Sequence, residues 1–106
     1  MNGTEFRKLV LALGDSREVP HFERRAFKVR RIFASLAPNE ETANLFLTPL
    51  EQEQWCGLLP EAFSPVPNKW GARGWTSATL AQIDGESLGP ALCCAWANGG
   101  GTDEKG

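Results

Sequence analysis

A chain of 106 residues with 42% hydrophobic and 23% charged side chains makes one domain with a modest core and no room for a second. No apolar run approaches the roughly 18 residues that span a bilayer, and Met1-Asn2-Gly3-Thr4-Glu5 lacks a basic stretch leading into an apolar one, so the composition points to a cytoplasmic protein with no membrane segment or secretory signal, expected to be a monomer. The net charge is −2, yet residues 1 to 31 hold eight Lys and Arg against four acids (+4), while residues 32 to 106 hold three against nine (−6). That balance disfavours indiscriminate polyanion binding and still allows a local basic patch.

Phe6, Leu9, Val10 and Leu13 recur at i, i+3, i+4 and i+7, which predicts a first helix, capped by Asn2 with Glu5 as its reciprocal partner and closed by Gly14 in the left-handed conformation. Asp15 to Pro20 reads as a polar connection. From His21 the period becomes two, with Phe27 and Val29 on one face and Ala26, Lys28 and Arg30 on the other. An Arg30-Arg31 turn leads into Ile32 to Leu36, and the loop Pro38-Asn39-Glu40-Glu41 into Asn44 to Thr48, so a three-stranded antiparallel meander is the economical topology.

Thr48-Pro49-Leu50-Glu51 is a helix start, since threonine can cap the third amide, proline fits the first helical position and glutamate completes a capping box. The second helix should turn Trp55, Leu58 and Leu59 inward and stop at Pro60. Phe63-Ser64-Pro65-Val66-Pro67 has too many prolines for a central strand and reads as an edge. Gly74 to Leu80 forms the last strand. Leu88, Ala91, Leu92, Ala95 and Trp96 mark a third helix with Asp84 or Ser87 as cap, regular from near Ser87, so that Pro90 falls in its opening turn. The expected architecture is α+β, an antiparallel sheet with three helices packed on it over residues 1–97, followed by a disordered tail over 98–106.

Cys56, Cys93 and Cys94 form no CxxC pair, and with one histidine in the chain they are expected to be reduced thiols packed as small hydrophobes, with no metal and no cofactor. His21 has no nucleophile, phosphate loop or metal ligand at a motif spacing, so it is taken as structural, and no enzyme is expected.

The densest feature is Asn68-Lys69-Trp70-Gly71-Ala72-Arg73-Gly74-Trp75-Thr76, two tryptophans, two glycines and two cations in nine residues. Large rings and flexible backbone in one short segment point to a shaped corner. Together with His21-Phe22, Ala26 to Val29, Ile32 to Ala37 and Asn44-Leu45, in this order and spacing over roughly residues 5 to 97, it resembles the MmcQ/YjbR family. That family is described as small bacterial α+β proteins with a double-wing arrangement and a DNA-binding role. One departure stands out: Arg30-Arg31 occupies the turn where the family usually has glycine, which implies a differently shaped and more basic first wing tip.

The resemblance implies a protein that docks on double-stranded DNA through basic wings. Arg24, Arg25, Lys28, Arg30 and Arg31 would contact phosphates from the first wing, and Lys69 and Arg73 from the second, with Asn68, Trp70, Gly71, Gly74 and Trp75 shaping the loop. Few residues suited to reading bases sit on a helix fit for the major groove. The competing expectation is a protein or small-ligand interaction module built on the Trp70/Trp75 loop.

Overall fold

The computed structural model describes residues 1–102. Helix α1 (Gly3–Leu11) is followed by strands β1 (Arg17–His21), β2 (Arg24–Lys28), β3 (Ile32–Leu36) and β4 (Thr42–Phe46), then α2 (Pro49–Leu58), β5 (Phe63–Pro65), a single-turn α3 (Lys69–Ala72), β6 (Trp75–Thr79) and α4 (Gly85–Asn98). The strands form one antiparallel sheet in the order β1-β2-β3-β4-β6-β5. The architecture is thus α+β, with four strands in meander and β6 returning between β4 and the edge strand β5. Among the described residues no helix is long and apolar enough to cross a membrane.

The sheet has one strand more than the residue pattern indicates, and the fold adds two helical turns, α3 and a 3₁₀ turn at Leu80–Gln82 after β6. Arg17 to Pro20, expected as a connection, instead joins His21 in a strand that pairs along its whole length with β2. Pro20 can sit there because β1 is an outer strand, where a missing N–H costs no ladder bond. The β1–β2 turn places Phe22 at φ 58°, and Asp15 (φ 59°), not Gly14, takes the left-handed conformation after α1. Asn2 Oδ1 accepts from the Glu5 N–H at 2.9 Å, and both arms of the Thr48/Glu51 capping box form, at 2.9 and 3.1 Å.

Alternation decides which side chains enter the core. Phe27, Ala34, Leu36, Ala43, Leu45, Thr76 and Ala78 are buried on the helix side of the sheet. A bulge interrupts the pattern: Phe27 faces Ala34, but Lys28 faces Ile32. Phe33 is the extra residue, so Phe33 and Ala34 are both buried, with Phe33 against Gly99 beyond α4, while Ile32 and Ser35 share the opposite face. Phe6 of α1 meets Phe27 edge-on at 5.6 Å, and Leu88, Ala91, Leu92, Ala95 and Trp96 of α4 complete the layer.

Four further expectations change. Leu58 is 68% exposed, and only Trp55 and Leu59 of the expected trio pack against the core. Asp84 caps α4 by accepting from the Ser87 N–H at 2.8 Å, which starts the helix at Gly85 and leaves Pro90 a full turn inside it, on the exposed side. Asn98 is still helical, and the Gly99, Gly100 and Gly101 amides bond back to the last turn, so order extends past residue 97; residues 103–106 of the expected tail lie outside the described residues. Cys93 is exposed, while Cys56 and Cys94 are partly covered and burial pushes both their thiols up.

Candidate nucleic-acid interface

Among the described residues, helices α1, α2 and α4 lie on one side of the sheet, and the other face, on which Ala26 and Ser35 are nonetheless buried, is met by the turn around α3. Period two puts Arg17, Val19 and His21 of β1, Arg24, Ala26 and Lys28 of β2, Ser35 of β3, Asn44 and Phe46 of β4, and Trp75 and Ser77 of β6 on that uncovered face. Glu18, Arg25 and Phe27 point to the helix side.

This alternation sorts the expected phosphate contacts. Arg25 does not reach the open face: its Nε donates to Glu18 Oε2 at 2.6 Å, and Glu18 also accepts from Arg7 Nε at 3.3 Å. Arg7 Nη1 donates to Glu40 Oε2 at 3.0 Å, and that bond and the acids beside it hold the Arg7 guanidinium above its ordinary value. Both cations are spent on neighbouring carboxylates. Arg24 does face the open side, half-buried, with Nε donating to Ser35 Oγ at 2.9 Å and Nη2 to the Ser35 carbonyl at 3.4 Å. Burial lowers its pKa, and no carboxylate among the described residues forms an ion pair with it. A half-buried guanidinium held by a neutral hydroxyl and a carbonyl retains its charge for an incoming anion.

Lys28 lies across from Arg17 on the same face. Arg30 and Arg31 occupy the β2–β3 bend, but that bend is no free wing tip. The Arg31 N–H donates to the Gly99 carbonyl at 3.0 Å, its Nη2 to the Asn98 carbonyl at 3.0 Å, and its guanidinium sits 6.0 Å from the Phe46 ring centroid. The side chain thereby satisfies carbonyls at the negative end of α4. Arg30 is exposed, with the Gly100 backbone against its stem.

The Asn68–Thr76 segment is a tied corner. Asn68 Oδ1 accepts from the Trp70 N–H at 2.9 Å and starts the single turn of α3. Gly71 packs so closely on the Val66 carbonyl that any Cβ would collide with it, and Gly74, at φ 111°, lies the same way against the Leu47 carbonyl. Gln52 Nε2 donates to the carbonyls of Gly71 and Trp75, both at 2.9 Å, and Thr76 Oγ1 to that of Gly74 at 2.8 Å. Trp75 stacks on Phe46 at 5.1 Å with 27° between the planes. Trp70 is 46% exposed, and the Arg73 guanidinium lies 5.0 Å from its centroid. Lys69 is exposed beside it.

Between this corner and the first hairpin runs a groove of about 280 Å³. Ile32, Ser35 and Asn44 of the sheet line it, His21 and Arg24 border it on the hairpin side, and Val66, Asn68, Trp70 and Trp75 on the other. Its walls are mostly apolar with a few polar groups converging, the usual character of a ligand site. Residue patterns alone do not single out Ser35, Asn44 or His21. The available signal was polar Ser35 and Asn44 within otherwise apolar strands, which marks them as facing away from the core and toward something polar.

No family model matches the chain, and no curated protein matches it. Among solved structures it is similar to the crystal structure of Deinococcus radiodurans protein DR2400, which carries the domain DUF419, with a TM-score of 0.75 and 24% identity over 97% of this chain and 84% of that one. At that identity the likeness establishes the fold.

Proposed function

We propose that this chain is a non-enzymatic, cytoplasmic nucleic-acid-binding protein that docks the phosphate backbone on the uncovered sheet face, the role the MmcQ/YjbR resemblance implies. The observation that carries the reading is the sorting of cations. Arg7 and Arg25 are neutralised on the helix side, where Lys8 of α1 keeps its charge without an ion pair among the described residues, while Arg17, Arg24, Lys28, Arg31, Lys69 and Arg73 surround the open face likewise unpaired. Glu51, Glu53 and Glu86 lie on the helices and Asp84 caps one, while Glu23 sits in the β1–β2 turn at the edge of this face, so the −2 of the whole chain overstates the acid near it. Arg25, expected in the first wing, is absent from the site, and Arg31 approaches it through Phe46.

With about three to five cations on phosphates, log K falls against log salt with a slope of roughly −3 to −5, and affinity at physiological salt lies in the weak, sequence-tolerant range of about 10⁻⁴ to 10⁻⁶ M. A labelled duplex titrated at several salt concentrations measures the slope, and the Arg17→Glu, Lys28→Glu double variant should bind at least about tenfold more weakly. Equal binding by that variant and the parent would remove the open face from the mechanism. The groove favours one competing reading, a small-ligand or protein interaction module at Trp70 and Trp75. Tryptophan fluorescence indifferent to nucleic acid at low salt would leave that reading standing.

A further inference from the structure

We infer that the groove between the β1–β2 hairpin and the Asn68–Arg73 corner receives a single unpaired nucleobase, so that the open face selects single-stranded over duplex nucleic acid. The inference rests on the phosphate-docking reading and specifies its substrate. Three features of the site carry it.

The shape is wrong for a duplex. A rigid duplex is gripped by projecting wings, whereas the Arg30-Arg31 bend is fastened to the end of α4 and the cations stand around a hollow. The hollow of about 280 Å³ is large enough to receive one base. A base in a duplex would first have to leave its stack, which costs a few kcal/mol that a single strand does not incur.

The chemistry suits a base. Trp70 borders the groove with nearly half its surface exposed, held in place by Arg73 stacked on it, and it offers an aromatic surface that any base can stack against. Arg24 and Asn44 lie in the same groove, a cation donor and an amide that both donates and accepts, the complement of a base edge.

The surroundings suit a strand. Arg17 and Lys28 lie to one side of the groove and Lys69 and Arg73 to the other, so phosphates on both sides of an inserted base meet cations. The combination of stacking ring and flanking positive charge is the general design of single-strand binders.

The test is fluorescence anisotropy with a labelled oligothymidylate and a labelled duplex of equal length, at two salt concentrations, with the parent chain, Trp70→Ala and Trp70→Phe. The parent should bind the single strand at least about tenfold more tightly. Trp70→Ala should lose about 5- to 150-fold on the single strand, with duplex binding changed less than about twofold, and Trp70→Phe should recover most of the loss. Circular dichroism checks that each variant is folded. Equal affinity for both probes, insensitive to Trp70→Ala, overturns the base site and leaves phosphate docking intact. No binding of either probe at low salt overturns both.

Discussion

Replacing Gly74 by alanine probes whether the tryptophan corner is a built structure. Gly74 sits at φ 111°, outside the small left-handed well that non-glycine residues can occupy, and a Cβ there would run into the backbone carbonyl of Leu47. The dihedral alone costs about 1–3 kcal/mol. The collision adds to this, because the obstructing atom is main chain joining β4 to α2 and cannot rotate away. A total of about 3 kcal/mol is a substantial share of the roughly 5–15 kcal/mol that holds a domain of this size. At about 4–8 °C per kcal/mol it lowers Tm by roughly 12–24 °C. The internal control is Gly57→Ala: Gly57 lies inside α2 with nothing within 4 Å of its would-be Cβ, so alanine should stabilise by about 0.5–1 kcal/mol. Thermal and urea unfolding followed by circular dichroism reads both. A Gly74→Ala protein melting with the parent would refute the strained corner.

Three further outcomes follow from named contacts. Phe33→Ala empties the fully buried bulge position and should cost about 3–5 kcal/mol, seen as a drop in urea midpoint without a change in slope. Glu51 is partly desolvated, which raises its pKa, but hydrogen bonds from the Thr48 amide and the Asn98 side chain outweigh that and hold it below the usual glutamate range. Because the folded value is the lower one, its stabilisation is complete above the unfolded value of about 4.3 and is lost as pH falls through the folded value. Urea midpoints should therefore decline below about pH 4.3, and less steeply in Glu51→Gln. Arg25→Gln should leave nucleic-acid affinity within about twofold, since that cation is held by Glu18 on the helix side; a large loss in anisotropy titration would show that the faces have been assigned wrongly.

Much of the frame was legible because local rules and tertiary packing agree. The i, i+3, i+4, i+7 face of α1, the Thr48-Pro49-Glu51 start of α2 and the proline-rich edge at β5 each carry a local physical signature, and each forms. β1 was hidden because Pro20 argues against a strand everywhere except at a sheet edge, and the edge exists only once the sheet is assembled. The Phe33 bulge was hidden for a related reason: an extra residue is visible in the cross-strand register, not along the strand. The same limit shaped the site. The Asn68–Thr76 segment stood out because two tryptophans, two glycines and two cations crowd into nine residues, and the corner they build is there. Arg24 and Arg25 are adjacent and chemically identical, so only the pairing of β2 with β1 separates the one that faces the groove from the one bound to Glu18. His21, Ser35 and Asn44 gained their place from strands and turns distant in sequence.

The sheet face as a phosphate-docking surface is tested most directly by amide chemical-shift mapping with a short oligonucleotide at low salt. The account predicts that perturbed resonances gather on Arg17, Arg24, Lys28, Ser35, Asn44 and the Asn68–Arg73 turn, with the indole N–H of Trp70 among them, and that the exposed surfaces of α1 and α4 stay unmoved. Perturbations confined to those helices, or none at saturating oligonucleotide, would contradict it.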